Sequence, residues 1–175
     1  MSLLVMLDVH HYMAPIHRVA RGKAVPFHEL NGKDDRSVMM SYLASRVIRH
    51  PFKLVFTKHH ATNIYRALTQ DYNWTHEEAT KHVGNCVLLT RHTNGEVSQL
   101  DMDSFGEEHL SHLCGKELLP ENEDACIVEM ARALHVDLLI TDDHKLLISQ
   151  TPDVLKLEMS VFRERVLKQV SRKAA

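Results

Sequence analysis

Three aspartates stand where carboxylates can act together. Asp8 ends the apolar run Leu3-Leu4-Val5-Met6-Leu7, Asp143 closes Leu138-Leu139-Ile140-Thr141-Asp142-Asp143, and Asp124 opens the helical pattern that leads into that second run. Asp124 and Asp143 are nineteen positions apart. A helix that feeds a buried parallel strand runs antiparallel to it, however, so the start of the helix lies near the end of the strand. All three acids then fall on the carboxyl edge of one sheet, where open α/β folds place their ligands. Carboxylates gathered there repel one another unless a cation stands between them, and hard oxygen ligands with room for water suit Mg²⁺ or Mn²⁺. With such an ion the reaction in reach is phosphodiester hydrolysis, in which the metal lowers the pKa of a water and stabilises charge developing on phosphate oxygens. Any one of these aspartates taken singly is equally well explained as a helix N-cap; their convergence on one edge is what favours a site.

The elements that must position these acids follow from hydrophobic spacing. Leu3 to Leu7 is an uninterrupted apolar strand, and Phe52 to Phe56 is a second. Ala125, Ile127, Val128, Ala131, Leu134 and Val136 recur at helical spacing ahead of the strand Leu138 to Ile140. Between these, His10 to Ala20 reads as a short helix broken by Pro15, and Arg21 to Gly32 as a loop. Asp34 or Asp35 caps a helix with Val38, Met39, Tyr42, Leu43, Arg46 and Val47 on one face, stopped by Pro51. Thr57 caps a helix to about Gln70, and Thr75-His76-Glu77-Glu78 has the form of a capping box opening a helix to about Val87. Thr93-Asn94-Gly95-Glu96 marks a turn before a strand at Val97 to Leu100. Asp101 to Leu119 is acidic and irregular, with a helix around Glu107 to Cys114. Lys145 to Ser149 is a short helix, Pro152 breaks it, Val154 to Leu157 is a last strand, and Ser160 caps a terminal helix carrying Val161, Phe162, Val166 and Leu167. Strands alternating with helices predict a three-layer α/β/α sandwich with a central parallel sheet of about four or five strands.

Composition bounds the rest. At 175 residues and 44% hydrophobic, the chain suits one domain with a substantial core, spanning 1–175. The apolar run near the amino terminus is too short for a signal sequence or a membrane span, so the expectation is a cytoplasmic protein with no membrane partner. Cys86, Cys114 and Cys126 are odd in number and lack CxxC spacing, which suggests neither a disulfide framework nor a structural zinc site and favours reading them as small buried hydrophobes. The 14 histidines, among them His10-His11, His59-His60, His109 and His112, contain no HExxH or Cys/His set of zinc spacing and read as surface or core residues. Net charge is -2 but uneven: ten Lys and Arg face three acids from 17 to 66, six face eighteen from 67 to 159, and five face one from 160 to 175. Such asymmetry allows a basic surface for a polyanion beside an acidic site for cations, although either basic run alone is explained as a solvated helix face.

The chain resembles the PIN domain family, metal-dependent ribonucleases common among the toxins of toxin-antitoxin systems. The resemblance is carried by Leu7-Asp8 after the first strand, Phe52 to Leu68 as second strand and helix, and above all Glu123-Asp124 through Leu139-Ile140-Thr141-Asp142-Asp143. It implies an endoribonuclease using Mg²⁺ or Mn²⁺, with Asp8, Asp124 and Asp143 as catalytic and metal-binding acids and Thr141 as the hydroxyl beside the last acid. Where the family has a glutamate in the helix after the second strand, this chain has Asn63, and His10 stands two residues after the first aspartate. Asn63, with Glu123 and Asp142 beside the expected ligands, would support the site, and Lys58 and Arg66 would bind the RNA backbone. The partners implied are RNA, an antitoxin protein and a second copy of the chain. The alternative is a catalytically weakened PIN-like module that binds RNA or protein without cutting. An aspartyl phosphoryl-acceptor, with Asp8 as nucleophile, is disfavoured because the lysine and Asp-x-Asp arrangements of those folds are missing.

Overall fold

The computed structural model describes residues 2–17, 22–45 and 52–173, so the parts of the sequence reading that concern Arg18 to Arg21 and Arg46 to Pro51, and the Leu167 side chain, lie outside the described residues. Five parallel strands form one sheet: β1 Leu3–Leu7, β2 Phe52–Thr57, β3 Glu96–Ser98, β4 Leu138–Ile140 and β5 Lys156–Leu157. Their order is β3-β2-β1-β4-β5. Among the described residues eight α-helices flank it: α1 Val9–His17, α2 Asp35–Leu43, α3 Lys58–Arg66, α4 His76–His92, α5 Glu107–Glu117, α6 Asn122–Ala133, α7 His144–Ile148 and α8 Met159–Lys173. The result is the expected three-layer α/β/α sandwich.

Both faces of the sheet are covered, as runs without polar interruption demand. Val5, Leu7, Leu54, Phe56, Leu138 and Ile140 point to one side, where they pack with Tyr12 of α1, Met39 and Leu43 of α2, Ile64 of α3, Cys86 and Leu89 of α4, and Phe162 of α8. Met6, Val55 and Leu139, the alternate positions, point to the other side and meet Leu110 and Leu113 of α5, Val128 and Met130 of α6, and Leu146 of α7. Two-residue periodicity thus divides three adjacent strands cleanly between two cores.

Register fixes the place of the acids. Leu7 is paired with Ile140, so β1 and β4 end side by side, and Asp8 N donates to Ile140 O at 2.8 Å. The chain builds outward from β1 through β2 to β3, then returns to lay β4 and β5 on the other flank. The carboxyl ends of β1 and β4 are therefore the point where strand order reverses, and a crevice opens at such a point because the two crossovers leave in opposite directions.

Several local readings are corrected by competition for the same groups. Thr75 caps α4 through Glu78 N, but Glu78 does not close the box; its Oε2 accepts from Ala24 N at 2.7 Å, tying the loop before α2 to α4. Ser160 lies inside α8, and the free amide of Met159 is taken by Asp142 Oδ1 at 2.9 Å. The helix begun by Thr57 ends as α3 at Arg66 and continues as one π-turn, Ala67–Asp71. The helix after Thr75 runs to His92, and the third strand is Glu96–Ser98. Before that strand Asn94 takes φ +55, and a Cβ on Gly95 would lie 2.0 Å from Leu54 O, so the turn passes β2 where only glycine fits.

Candidate functional site

The ends of β1 and β4 and the first turn of α6 wall a cavity of about 430 Å³ whose lining includes Asp8, Asn63, Glu123, Asp124 and Asp143. Asp8 is held from both sides of the strand pair. It is 7% exposed, and the fully buried Thr141 hydroxyl donates to its Oδ2 at 2.7 Å. The same Thr141 oxygen accepts from Asp143 N at 3.1 Å. One hydroxyl thus couples the first acid to the backbone of the last, which is the physical role of the residue that the sequence placed beside Asp143. Asp143 is also the N-cap of α7: its Oδ1 accepts from Lys145 N at 2.7 Å and Leu146 N at 3.3 Å. The capping reading and the site reading are therefore both true of Asp143, since one carboxylate oxygen holds the helix while the residue lines the cavity.

Asp124 sits in the first turn of α6, whose N-cap position belongs to Glu121. Burial pushes its carboxyl up to about 7, and the charges of Asp143, Glu121 and Asp8 push in the same direction. That is the electrostatic signature of like charges sharing a half-desolvated space. Of the two guanidinium groups of the cavity, Arg36 pairs with Asp142 outside it at 2.9 Å and Arg66 with Glu123 on its wall at 2.7 Å.

The first turn of α3 is anchored to the same edge. His60 is fully buried; its Nε2 donates to Leu7 O at 2.9 Å, and its Nδ1 accepts from the Thr57 hydroxyl at 2.7 Å. Burial, the largest cause, lowers its pKa to about 3, so the ring is a neutral strut between the end of β1 and the start of α3. His11, His59 and His82 are buried as well, while His109 pairs with Glu129 at 3.0 Å on α6.

The expected site residues divide accordingly. Asp8, Asn63, Glu123, Asp124, Asp143 and Arg66 line the cavity, and Thr141 lies directly behind it. Asp142 does not line it: adjacent residues point apart, and its carboxylate is taken by Arg36 and the start of α8. Lys58 does not line it either, and pairs with Asp101 at 2.5 Å. Arg36, Asp71, Tyr72 and Glu121 line the cavity without having been singled out. Arg36 sits in the basic early segment, so charge asymmetry was the available signal; nothing in the spacing marks the other three.

Among the described residues, no group of three or more His, Cys, Asp or Glu side chains is placed to hold a metal ion as it stands. The donor chemistry nonetheless fits a hard divalent cation: every candidate is an oxygen, and the repulsion on Asp124 is what such an ion would relieve. Mg²⁺ commonly keeps several of its waters, a coordination suited to acids that face one space without closing on it. No helix among the described residues is long and apolar enough to cross a membrane. The chain matches no protein-family model and no curated protein, so the functional reading rests on this cavity and its chemistry.

Proposed function

We propose that the protein is a divalent-metal-dependent nuclease that hydrolyses RNA phosphodiester bonds, with Asp8, Asp124 and Asp143 as the acids that hold Mg²⁺ or Mn²⁺. The observation that carries the proposal is that three carboxylates line one cavity at the strand-order reversal, where burial and neighbouring charge push Asp124 up to about 7. A bound ion would supply a water of lowered pKa and draw charge from the phosphate oxygens. The chain's own part is positional. Thr141 and the α7 amides hold two of the acids in place before any ligand arrives, so little reorganisation is left for binding. Arg36 and Arg66, each half-exposed beside the cavity, would trade part of their pairing with Asp142 and Glu123 for a phosphate. Lys58, away from the cavity, would touch only a flanking stretch of backbone.

The test is cleavage of a labelled RNA with Mn²⁺ or Mg²⁺, run beside Asp143→Asn. Loss of cleavage with unchanged circular dichroism is expected; cleavage without metal, or full activity in the variant, would overturn the proposal. RNA affinity should also fall steeply with salt, because counterion release drives contacts to the backbone. An antitoxin protein, or a second copy of the chain, belongs to the same proposal through the resemblance alone, and an antitoxin would act by closing this cavity. The second reading, a module that binds RNA or protein without cutting, is favoured by one observation: Asn63 contributes no charge at the cavity wall, and no ligand set is gathered without it among the described residues.

A further inference from the structure

A chain of contacts runs from the core beneath α6 to the cavity wall on α3. Cys126 is fully buried, and its Sγ lies 3.9 Å from Nδ1 of the buried His59. His59 Nε2 in turn lies 2.9 Å from Asn63 Nδ2, one helical turn further on, and Asn63 lines the cavity. An amide nitrogen carries hydrogens and cannot accept, so this bond has only one direction: Asn63 Nδ2 donates and His59 Nε2 accepts. The ring hydrogen then resides on Nδ1, facing the Cys126 sulfur, a weak acceptor.

We infer that His59 is a positioning residue that holds the Asn63 amide so that the cavity is offered its oxygen and not its N–H. The use of that oxygen rests on the proposed metal site, but the orientation itself does not. The distinction matters because the two ends of an amide have opposite polarity. With the nitrogen held by His59, the side chain presents a neutral hard oxygen beside three carboxylates. Reversed, it would present N–H groups to the same space and repel any cation there. The atoms resemble the Cys-His-Asn set of cysteine hydrolases, but that activity is excluded here. The thiol has no exposure, and burial together with Asp101, Glu123 and Glu129 pushes it up to about 12, so no thiolate is available.

The direct test is the ¹⁵N spectrum of the histidine rings in the full chain, with His59 assigned as the ring whose signals move in Asn63→Ala. The expected result is a protonated Nδ1 and an unprotonated Nε2 at His59; a protonated Nε2 would overturn the inference. Calorimetric titration with Mn²⁺ gives a second reading. His59→Phe should weaken binding about tenfold, the usual effect of removing a residue that orients a ligand. Asn63→Ala should weaken the parent yet add little to His59→Phe, whereas an equal loss in both backgrounds would contradict the inference. A parent that binds no Mn²⁺ would sink the metal reading while leaving the ring spectrum to decide on His59, and the spectrum also decides if His59→Phe does not fold.

Discussion

Two groups of three acids occupy opposite ends of α6. At its carboxyl end Glu117, Glu129 and Asp153 surround Arg132, whose guanidinium meets them at 2.9, 2.6 and 2.7 Å. At its amino end Asp8, Asp124 and Asp143 face a common cavity whose two guanidinium groups, Arg36 and Arg66, pair with Asp142 and Glu123. The first group behaves as a structural fastening. Arg132 holds Asp153 below its usual range, and at Glu129 burial, which would raise the carboxyl, is outweighed by hydrogen bonds from Arg132 and His109. Asp124 goes the other way: burial first, then the charges of Asp143, Glu121 and Asp8, raise it to about 7. At Asp153 and Glu129 the contacts of Arg132 outweigh burial, whereas at Asp124 burial and the neighbouring charges act in the same direction. Acids that the chain compensates hold α5, α6 and the loop before β5 together; the cavity acids are those that, on the proposed function, would take a cation from outside.

The comparison can be broken at several points. The largest effect is expected at Thr141, because one hydroxyl serves both Asp8 and Asp143 N. Thr141→Val should lower metal-dependent cleavage about 10–100-fold, the usual range for second partners of metal ligands, while Thr141→Ser keeps most of it. Equal activity in both variants would separate Thr141 from the site. Next, Arg132→Met should cost about 2–4 kcal/mol in urea unfolding, since it leaves the nearly buried Glu117 without its partner. The same variant should leave Mn²⁺ affinity unchanged.

A smaller effect distinguishes the groups by pH. An acid whose folded pKa is raised binds more protons folded than unfolded between its two pKa values. Asp124 therefore removes stability as pH rises from the ordinary carboxylate range, 3.8, to about 7, and the full cost remains above that. Asp124→Asn should then melt a few degrees higher than the parent at pH 7.5 without metal, and the difference should vanish below pH 4. Asp153, whose folded pKa is depressed, has the opposite sign: its contribution is present above pH 3.8 and lost as pH falls through the lower folded value. Asp153→Asn should accordingly melt lower than the parent at pH 7.5, with the difference shrinking in acid. Melting curves across pH check both signs, and two variants moving in the same direction would erase the contrast.

The smallest shift is expected at Asn63. Asn63→Glu adds a fourth carboxylate to the open group, so the metal-free protein should melt lower near neutral pH and Mn²⁺ should bind more tightly. If the variant gains no more from Mn²⁺ than the parent, Asn63 stands apart from the ion and the non-cutting module becomes the better reading.

The contrast also marks how far the sequence could be read. Asp8 and Asp143 were legible because each follows an uninterrupted apolar run, and such runs form buried parallel strands whose carboxyl ends meet. Asp124 was legible because a helix feeding one of those strands must begin near its end. Asp142 and Asp143 could not be told apart by type or spacing. Their roles separated only when α8 arrived with an uncapped amide at Met159 and α2 with Arg36, both contacts between distant parts of the chain. Glu78 followed the same logic: its form completes a capping box, yet Ala24 N competes successfully for its carboxylate. Arg36 reaches the cavity from the first turn of α2, and Asp71 and Tyr72 from the end of the π-turn, a matter of tertiary packing that no periodicity encodes. His59 was hidden for a related reason: its function depends on which ring nitrogen faces which neighbour.

On the proposed function the cavity acids form a divalent-cation site and the Arg132 group does not. Thermal melting with and without Mn²⁺ at pH 7.5, for the parent, Asp124→Asn and Asp153→Asn, tests it most directly. An ion that binds only the folded state adds about 2.7 kcal/mol at a hundredfold excess over its dissociation constant, enough to raise the melting temperature by several degrees. The parent and Asp153→Asn should show that rise, and Asp124→Asn should lose most of it. A parent that does not respond to Mn²⁺, or an Asp124→Asn variant that responds as fully as the parent, would contradict the claim.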